Sequence, residues 1–366
     1  MKTHSHRLLT AMAAVLATGM LLSVSACGTA SNTQSQNTAK PEATGPIEVV
    51  ASVNQWGSLA KQIGGDDVSV TSILSSTAVD AHDFEPKTSD IAKLQKAQIV
   101  VTNGAGYDAW ATKSLGRNAV SVSAAQTVGA MEGDNPHLWF SKDARNGVAE
   151  ELTEAFSKVL PSKKKAFATR LAAWKKQEKT IEQAMDDFSA KHKDAKYGAT
   201  EAVAYYLMSD MGFEDATPKG YAQSSASEGE PAPADLQEFQ ALIESRDIDV
   251  LINNTQEASD ATNMLTGTAG RSDVPVFDIS EQLPDDQSSL TDWIADLVSK
   301  LTDVIDEASA AEDDTDADTQ NDTTSETQSD GSDGTAGDSS DTQTQDDSAA
   351  TTQDSSPDGE QPDPGK

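Results

Sequence analysis

Cysteine is almost missing from this chain: there is one, Cys27, in 366 residues. A single thiol excludes an internal disulfide framework and any zinc site built from several thiolates. Basic residues are scarce as well, 27 Lys and Arg against 60 Asp and Glu, for a formal net charge of −33. Nucleic-acid affinity comes largely from cations on phosphates, so no nucleic acid is expected as a partner. Aromatic residues make up only 5% and all lie between Trp56 and Trp293. Residues 311–366 lack Val, Ile, Leu, Met, Cys and every aromatic, and set 17 acidic side chains against one basic. Such a tail cannot bury enough apolar surface to offset chain entropy, and is expected to be an acidic disordered segment. No phosphate-binding GxxxxGK[ST], no HExxH and no GxSxG is present, so the chain cannot supply ATP hydrolysis itself.

What is present begins with a leader. Lys2 and Arg7 precede an uncharged run, residues 8–24, rich in Leu, Ala, Met and Val. This is the layout of a signal peptide, and the run is short and diluted by Thr, Gly and Ser for a membrane span of about 20 apolar residues. Leu22-Ser23-Val24-Ser25-Ala26-Cys27 resembles the lipobox of bacterial lipoproteins. That resemblance implies a signal peptide over 1–26, cleavage before Cys27 and a diacylglycerol thioether on its sulfur. Residues 27–45 then form the lipidated end and a polar, flexible tether.

From residue 46 the pattern becomes α/β. Strands are expected at Ile47–Val53, Val68–Leu74, 98–102 and 119–123, with a helix over 89–96 between the second and third. Strands alternating with helices argue for a parallel sheet with helices on its faces. Residues 143–160 and 163–191 carry apolar side chains at helical spacing, Phe167, Leu171 and Trp174 among them, with Pro161 between the two runs. The second would span roughly 40 Å and is a candidate connector. The alternation resumes with a helix over 234–245, strands at 249–253 and 274–279, and a closing helix over 290–308. The expected plan is an N-terminal lobe over 46–142, a helical segment over 143–194 and a C-terminal lobe over 195–310, with no internal sequence repeat.

Of five histidines, His4 and His6 belong to the leader, and His192 sits among Lys and Asp at what reads as a solvated helix end. His82 and His137 lie in loops, each beside Asp or Asn and an aromatic. Ligands of doubly wound folds sit beyond the carboxyl ends of strands, where these loops fall. Two such histidines point to a metal. The C-terminal lobe offers carboxylates to complete a cluster: Glu201, after a turn or strand end at 197–200, and Asp278 and Glu281, at the end of the last strand. The plain alternatives are that Glu201 caps a helix, where its charge is favourable, and that Asp278 and Glu281 are solvated loop acids.

Six segments, in order behind a lipobox, resemble the zinc/manganese family (family 9) of bacterial ABC-importer solute-binding proteins. They are Val49-Val50-Ala51-Ser52-Val53-Asn54-Gln55-Trp56-Gly57, Asp80-Ala81-His82-Asp83-Phe84-Glu85-Pro86, Asn103-Gly104-Ala105-Gly106-Tyr107-Asp108, Asn135-Pro136-His137-Leu138-Trp139, Thr200-Glu201 and Thr255-Gln256. The resemblance covers about residues 47–306. It implies a clamshell of two lobes, each with a parallel β-sheet flanked by helices, joined by one long rigid helix. It also implies one Zn²⁺ or Mn²⁺ held between them by His82, His137, Glu201 and a fourth acid. Glu281 fits the spacing of that fourth position better, with Asp278 the alternative. The His-rich acidic loop of many zinc carriers is absent, and the acidic tail is an addition.

The function so implied is capture and delivery, not catalysis. A lipid-anchored monomer on the outer face of the cytoplasmic membrane would bind the ion and hand it to an ABC permease driven by its own ATPase. Two His and two carboxylates make a harder ligand set than three His, which suits Mn²⁺, while intrinsic affinity favours Zn²⁺. Two other readings compete: a surface adhesin whose working part is the tail, and a surface metallohydrolase with His82 and His137 on zinc.

Overall fold

The computed structural model describes residues 45–321 apart from 80, 82 and 83, with side chains as far as 310. Cys27 and His82 therefore lie outside the described residues. Eight strands form two parallel four-stranded sheets. The first contains β1 (Ile47–Val53), β2 (Val68–Leu74), β3 (Ile99–Thr102) and β4 (Val120–Ser123), in the order β2-β1-β3-β4. The second contains β5 (Lys196–Ala199), β6 (Glu214–Asp215), β7 (Val250–Asn254) and β8 (Val276–Ile279), in the order β6-β5-β7-β8. The two lobes thus share one winding without sharing a sequence repeat.

The strand sequences explain their positions. Central strands of a parallel sheet are covered on both faces and read as continuous apolar runs. All four residues of β3 are buried, as are six of the seven in β1, where Val49 pairs with Val70 on one side and Ile99 on the other. Edge strands need less: β2 exposes Ser69, Thr71 and alternates about them, and β6 is two exposed acids. Strand β6 has no apolar signal, and β5 was legible only as a turn or strand end. Its Gly198 is there because the Phe239 ring packs on the backbone: a Cβ would stand 2.6 Å from Phe239 Cε2.

The helix Lys164–Lys191 is 28 residues long and begins after a 3₁₀ turn at Pro161–Lys163. It buries Phe167, Trp174, Ile181, Met185 and Phe188 along one stripe. Trp174 Nε1 donates to Thr291 Oγ1 at 2.9 Å, which ties this connector to the closing helix. That closing helix, Leu290–Asn321, runs past the boundary expected at 308. One apolar cluster extends from Ile47 and Trp56 through Phe156, Phe167 and Met185 to Ile252, Trp293 and Ile305, so both sheets pack on a common helical layer. No helix among the described residues is long and apolar enough to cross a membrane.

His192 is not solvated as expected. Its ring lies 4.8 Å from that of Phe188 and its Nε2 is 2.7 Å from Asp306 Oδ1, an oxygen that Lys191 Nζ also reaches. Those partners hold the Asp306 carboxyl below its usual range, first through Lys191. The residue fastens the end of the connector to the closing helix.

Candidate metal centre

The centre forms where both sheets change winding direction. In each sheet the order reverses between the first and third strands, and the loops leaving those strands diverge to open a crevice. Asn54 and Gln55 follow β1, Asn103 to Asp108 follow β3, Thr200 and Glu201 follow β5, and Thr255 and Gln256 follow β7, while Glu281 comes two residues after β8. His137 enters from the segment just before the 3₁₀ turn Leu138–Phe140.

His137, Glu201 and Glu281 each bring one ligand atom to a common point, all within 4.8 Å of one another. His137 Nε2 lies 3.7 Å from Glu201 Oε1 and 3.8 Å from Glu281 Oε2. His137 is 3% exposed and Glu281 1%, with Glu201 partly buried. No other group of three or more His, Cys, Asp or Glu among the described residues meets that condition.

Each side chain is aimed by its own partners. Asn135 Nδ2 donates to Ala202 O at 2.6 Å, which turns Asn135 Oδ1 toward His137. That oxygen accepts from His137 N at 2.9 Å and from Nδ1 at 3.0 Å. An amide oxygen only accepts, so Nδ1 carries the proton and, in the neutral ring, Nε2 presents its lone pair to the two carboxylates. Such a bond behind a histidine is how metal sites fix tautomer and ring orientation. Glu201 stands at the N-cap of the 3₁₀ turn that follows it, but its side chain makes no capping bond there. Its Oε2 instead accepts from Asn254 Nδ2 at 2.5 Å. Glu281 Oε2 accepts from Tyr107 OH at 2.7 Å and Oε1 from Asn254 Nδ2 at 3.2 Å. Burial first, then the Glu281 charge, pushes the Tyr107 hydroxyl far above its usual pKa, so it remains a donor.

The two lobes meet around this cluster. Asn54 pairs with the backbone of Leu283, donating to its O at 2.7 Å and accepting from its N at 3.1 Å. Gln55 Nε2 donates to Glu281 O at 2.6 Å. The loop Asn103-Gly104-Ala105-Gly106 bends through three consecutive positive φ values, 81°, 52° and 88° at residues 104 to 106. Asp108 closes it by accepting from Asn103 N and Gly104 N, and this turn delivers Tyr107 to Glu281.

Asp278 stands apart. It is exposed and its Oδ1 accepts from Asn253 Nδ2 at 2.8 Å. His82 lies outside the described residues; before it, Val79 O accepts from Gln256 Nε2 at 3.2 Å, which also donates to Gln282 Oε1 at 2.5 Å. Phe84, after it, packs its ring 5.1 Å from that of Trp110. Two residues that shape the site escaped sequence reasoning as functional groups. In the sequence Tyr107 stands only as part of the Asn103–Asp108 motif, and Asn254 only as the last residue of an apolar run. The one local signal for Asn254 is a polar residue ending a buried apolar strand.

A family model described as zinc-uptake complex component A, periplasmic, matches residues 49–304. The chain belongs to this zinc-uptake family. The zinc-binding lipoprotein AdcA of Streptococcus pneumoniae is 23% identical over 266 residues, covering 66% of this chain and 52% of AdcA. The manganese-binding lipoprotein MntA of Bacillus subtilis is 29% identical over 175 residues, 45% of this chain and 54% of MntA. The chain spans about half the length of these curated relatives. In fold, this member of the zinc-uptake family superposes on the periplasmic zinc-binding protein TroA of Treponema pallidum with a TM-score of 0.58 at 19% identity, covering 72% of this chain and 99% of TroA.

Proposed function

We propose that this protein captures one divalent transition-metal ion, Zn²⁺ or Mn²⁺, outside the cell membrane and passes it to the permease of an ABC importer. The observation that carries the reading is the convergence of His137, Glu201 and Glu281 on one buried point. The donor set fits the cargo. Ligands about 2.1 Å from a tetrahedral zinc stand roughly 3.4 Å apart, and the two imidazole-to-carboxylate separations here are 3.7 and 3.8 Å. His82 completes the set as fourth ligand, and Glu281 takes the acid position in preference to Asp278. The names of AdcA and MntA, which specify zinc and manganese, support the class of ion.

In this reading the lobes over 46–142 and 195–310 are the jaws and the segment over 143–194 the spine. His82 and His137 bind from one jaw, Glu201 and Glu281 from the other, and the shared apolar layer keeps closure small. Cys27 carries the lipid that holds the protein at the membrane, and the partner is the permease with its ATPase. Four protein ligands leave no position for an activated water, which is what separates a carrier from a metallohydrolase.

The test is titration of the stripped protein with Zn²⁺ and Mn²⁺ by calorimetry. One tight equivalent is expected. Protons compete for imidazole and carboxylate alike, so affinity is expected to fall by at least about tenfold from pH 7 to pH 5. No stoichiometric binding, or binding indifferent to acid, would overturn the proposal.

A further inference from the structure

Two imidazoles and two carboxylates do not by themselves choose between ions. A carboxylate gives one oxygen or two, and which it gives decides how many ligands the ion receives. The structure contains a device that bears on this choice.

Asn254 ends β7 at the winding reversal of the second sheet and is 1% exposed. Its Oδ1 accepts from Gln256 N at 3.0 Å, which turns Nδ2 toward the acids. Nδ2 donates to Glu201 Oε2 at 2.5 Å and to Glu281 Oε1 at 3.2 Å. The other oxygen of each acid, Glu201 Oε1 and Glu281 Oε2, is the one that faces His137 Nε2. One amide therefore holds the far oxygen of both carboxylates and leaves one oxygen of each for the centre.

Resting on the metal-capture reading above, we propose that Asn254 sets the coordination number. It makes Glu201 and Glu281 one-oxygen ligands, and so favours a small four-coordinate ion such as Zn²⁺ over ions that take six oxygen-rich ligands. To bind through both oxygens, either acid must turn its far oxygen toward the ion and so bend or lengthen a charge-assisted hydrogen bond inside a buried site. Zinc accepts four ligands in a tetrahedron, whereas Mn²⁺ is suited to six. A second restraint acts in the same sense: Tyr107 OH occupies one direction on Glu281 Oε2, and Gln282 Nε2 holds that hydroxyl at 3.0 Å.

The experiment compares stripped full-length protein with Asn254→Ala and Asn254→Asp. The aspartate variant keeps the volume and an oxygen for the Gln256 amide, and replaces the donor by an anion that repels both acids. Two quantities are read: the ratio of Zn²⁺ to Mn²⁺ dissociation constants by competition, and the visible spectrum after loading with Co²⁺. Four-coordinate cobalt absorbs strongly and six-coordinate cobalt weakly. The wild type is expected to show strong bands. Both variants should lose most of that intensity, and their preference for Zn²⁺ should narrow by at least tenfold. Unchanged band intensity and an unchanged ratio in both variants would overturn the proposal. Weak bands in a wild type that binds one equivalent would also overturn it while leaving the metal centre standing. A wild type that takes up no ion would remove the centre itself, and this role with it.

Discussion

Changing His137 to alanine is expected to weaken Zn²⁺ binding by at least about a hundredfold, measured by competition against a chelator of known affinity. Loss of a group that merely orients a ligand commonly costs 10–100-fold, and His137 is proposed as a ligand itself. Among the described residues no other His, Cys, Asp or Glu joins the cluster. The two aromatic rings beside it, Tyr107 and Trp139, meet it edge-on at 6.3 and 5.5 Å and bring no lone pair of comparable basicity. Glu281→Gln should produce a similar loss, with an additional signature in the metal-free protein. One buried acid, Glu281, and one partly buried acid, Glu201, face one another across Asn254 and repel, so neutralising one should leave the metal-free protein as stable as before or more so. The rise in melting temperature on adding metal should nevertheless shrink, because stabilisation by a ligand follows its affinity. Asp278→Ala is the control. Its side chain is exposed and engaged with Asn253, so affinity should remain within about threefold of wild type. A large loss in Asp278→Ala with none in Glu281→Gln would reverse the assignment of the fourth ligand.

The legibility of this centre in the sequence depends on how far each residue's partners lie along the chain. Strands β1 and β3 declare themselves because a strand covered on both faces must be apolar throughout, and such a run needs no partner to be recognised. His137 is similarly local. Asn135, two residues earlier, supplies the oxygen that fixes its ring, so the pair is visible as Asn-Pro-His. Glu201 is harder. It follows a four-residue strand whose Gly198 is dictated by Phe239, 41 positions away, and its neighbours read as well for a helix cap as for a ligand. Tyr107 and Asn254 act across 174 and 53 residues respectively, on Glu281 and Glu201. No periodicity or spacing rule connects such pairs, because the winding of the sheets, not the local sequence, brings them together. His192 was misread for the same reason. Its basic and acidic neighbours suggest solvent, while the partner that its Nε2 bonds, Asp306, is 114 residues distant.

Arg145→Met is expected to lower stability by about 3–5 kcal/mol, the usual consequence of leaving a buried partner charge uncompensated. Arg145 and Glu178 are both buried: Nε and Nη2 of the arginine reach Glu178 Oε1 at 2.7 and 2.5 Å, joining the helix Lys142–Val159 to the connector. For a domain pair of this size the melting temperature should drop by roughly 10 °C in a calorimetric scan. Adding Glu178→Leu removes the stranded carboxylate, and the double variant should recover more than half of the loss, since apolar replacements of buried ion pairs are often near neutral. The remaining deficit is the informative part. Arg145 Nη1 also donates to Trp139 O at 3.2 Å and Phe140 O at 2.9 Å, the carbonyls two and three residues beyond His137. Methionine cannot hold them in either variant. If the arginine served only to join two helices, metal affinity would return with stability in the double variant. Because it also holds the turn that carries His137, affinity should stay reduced in the double variant even as its melting temperature rises, and the two measurements should separate.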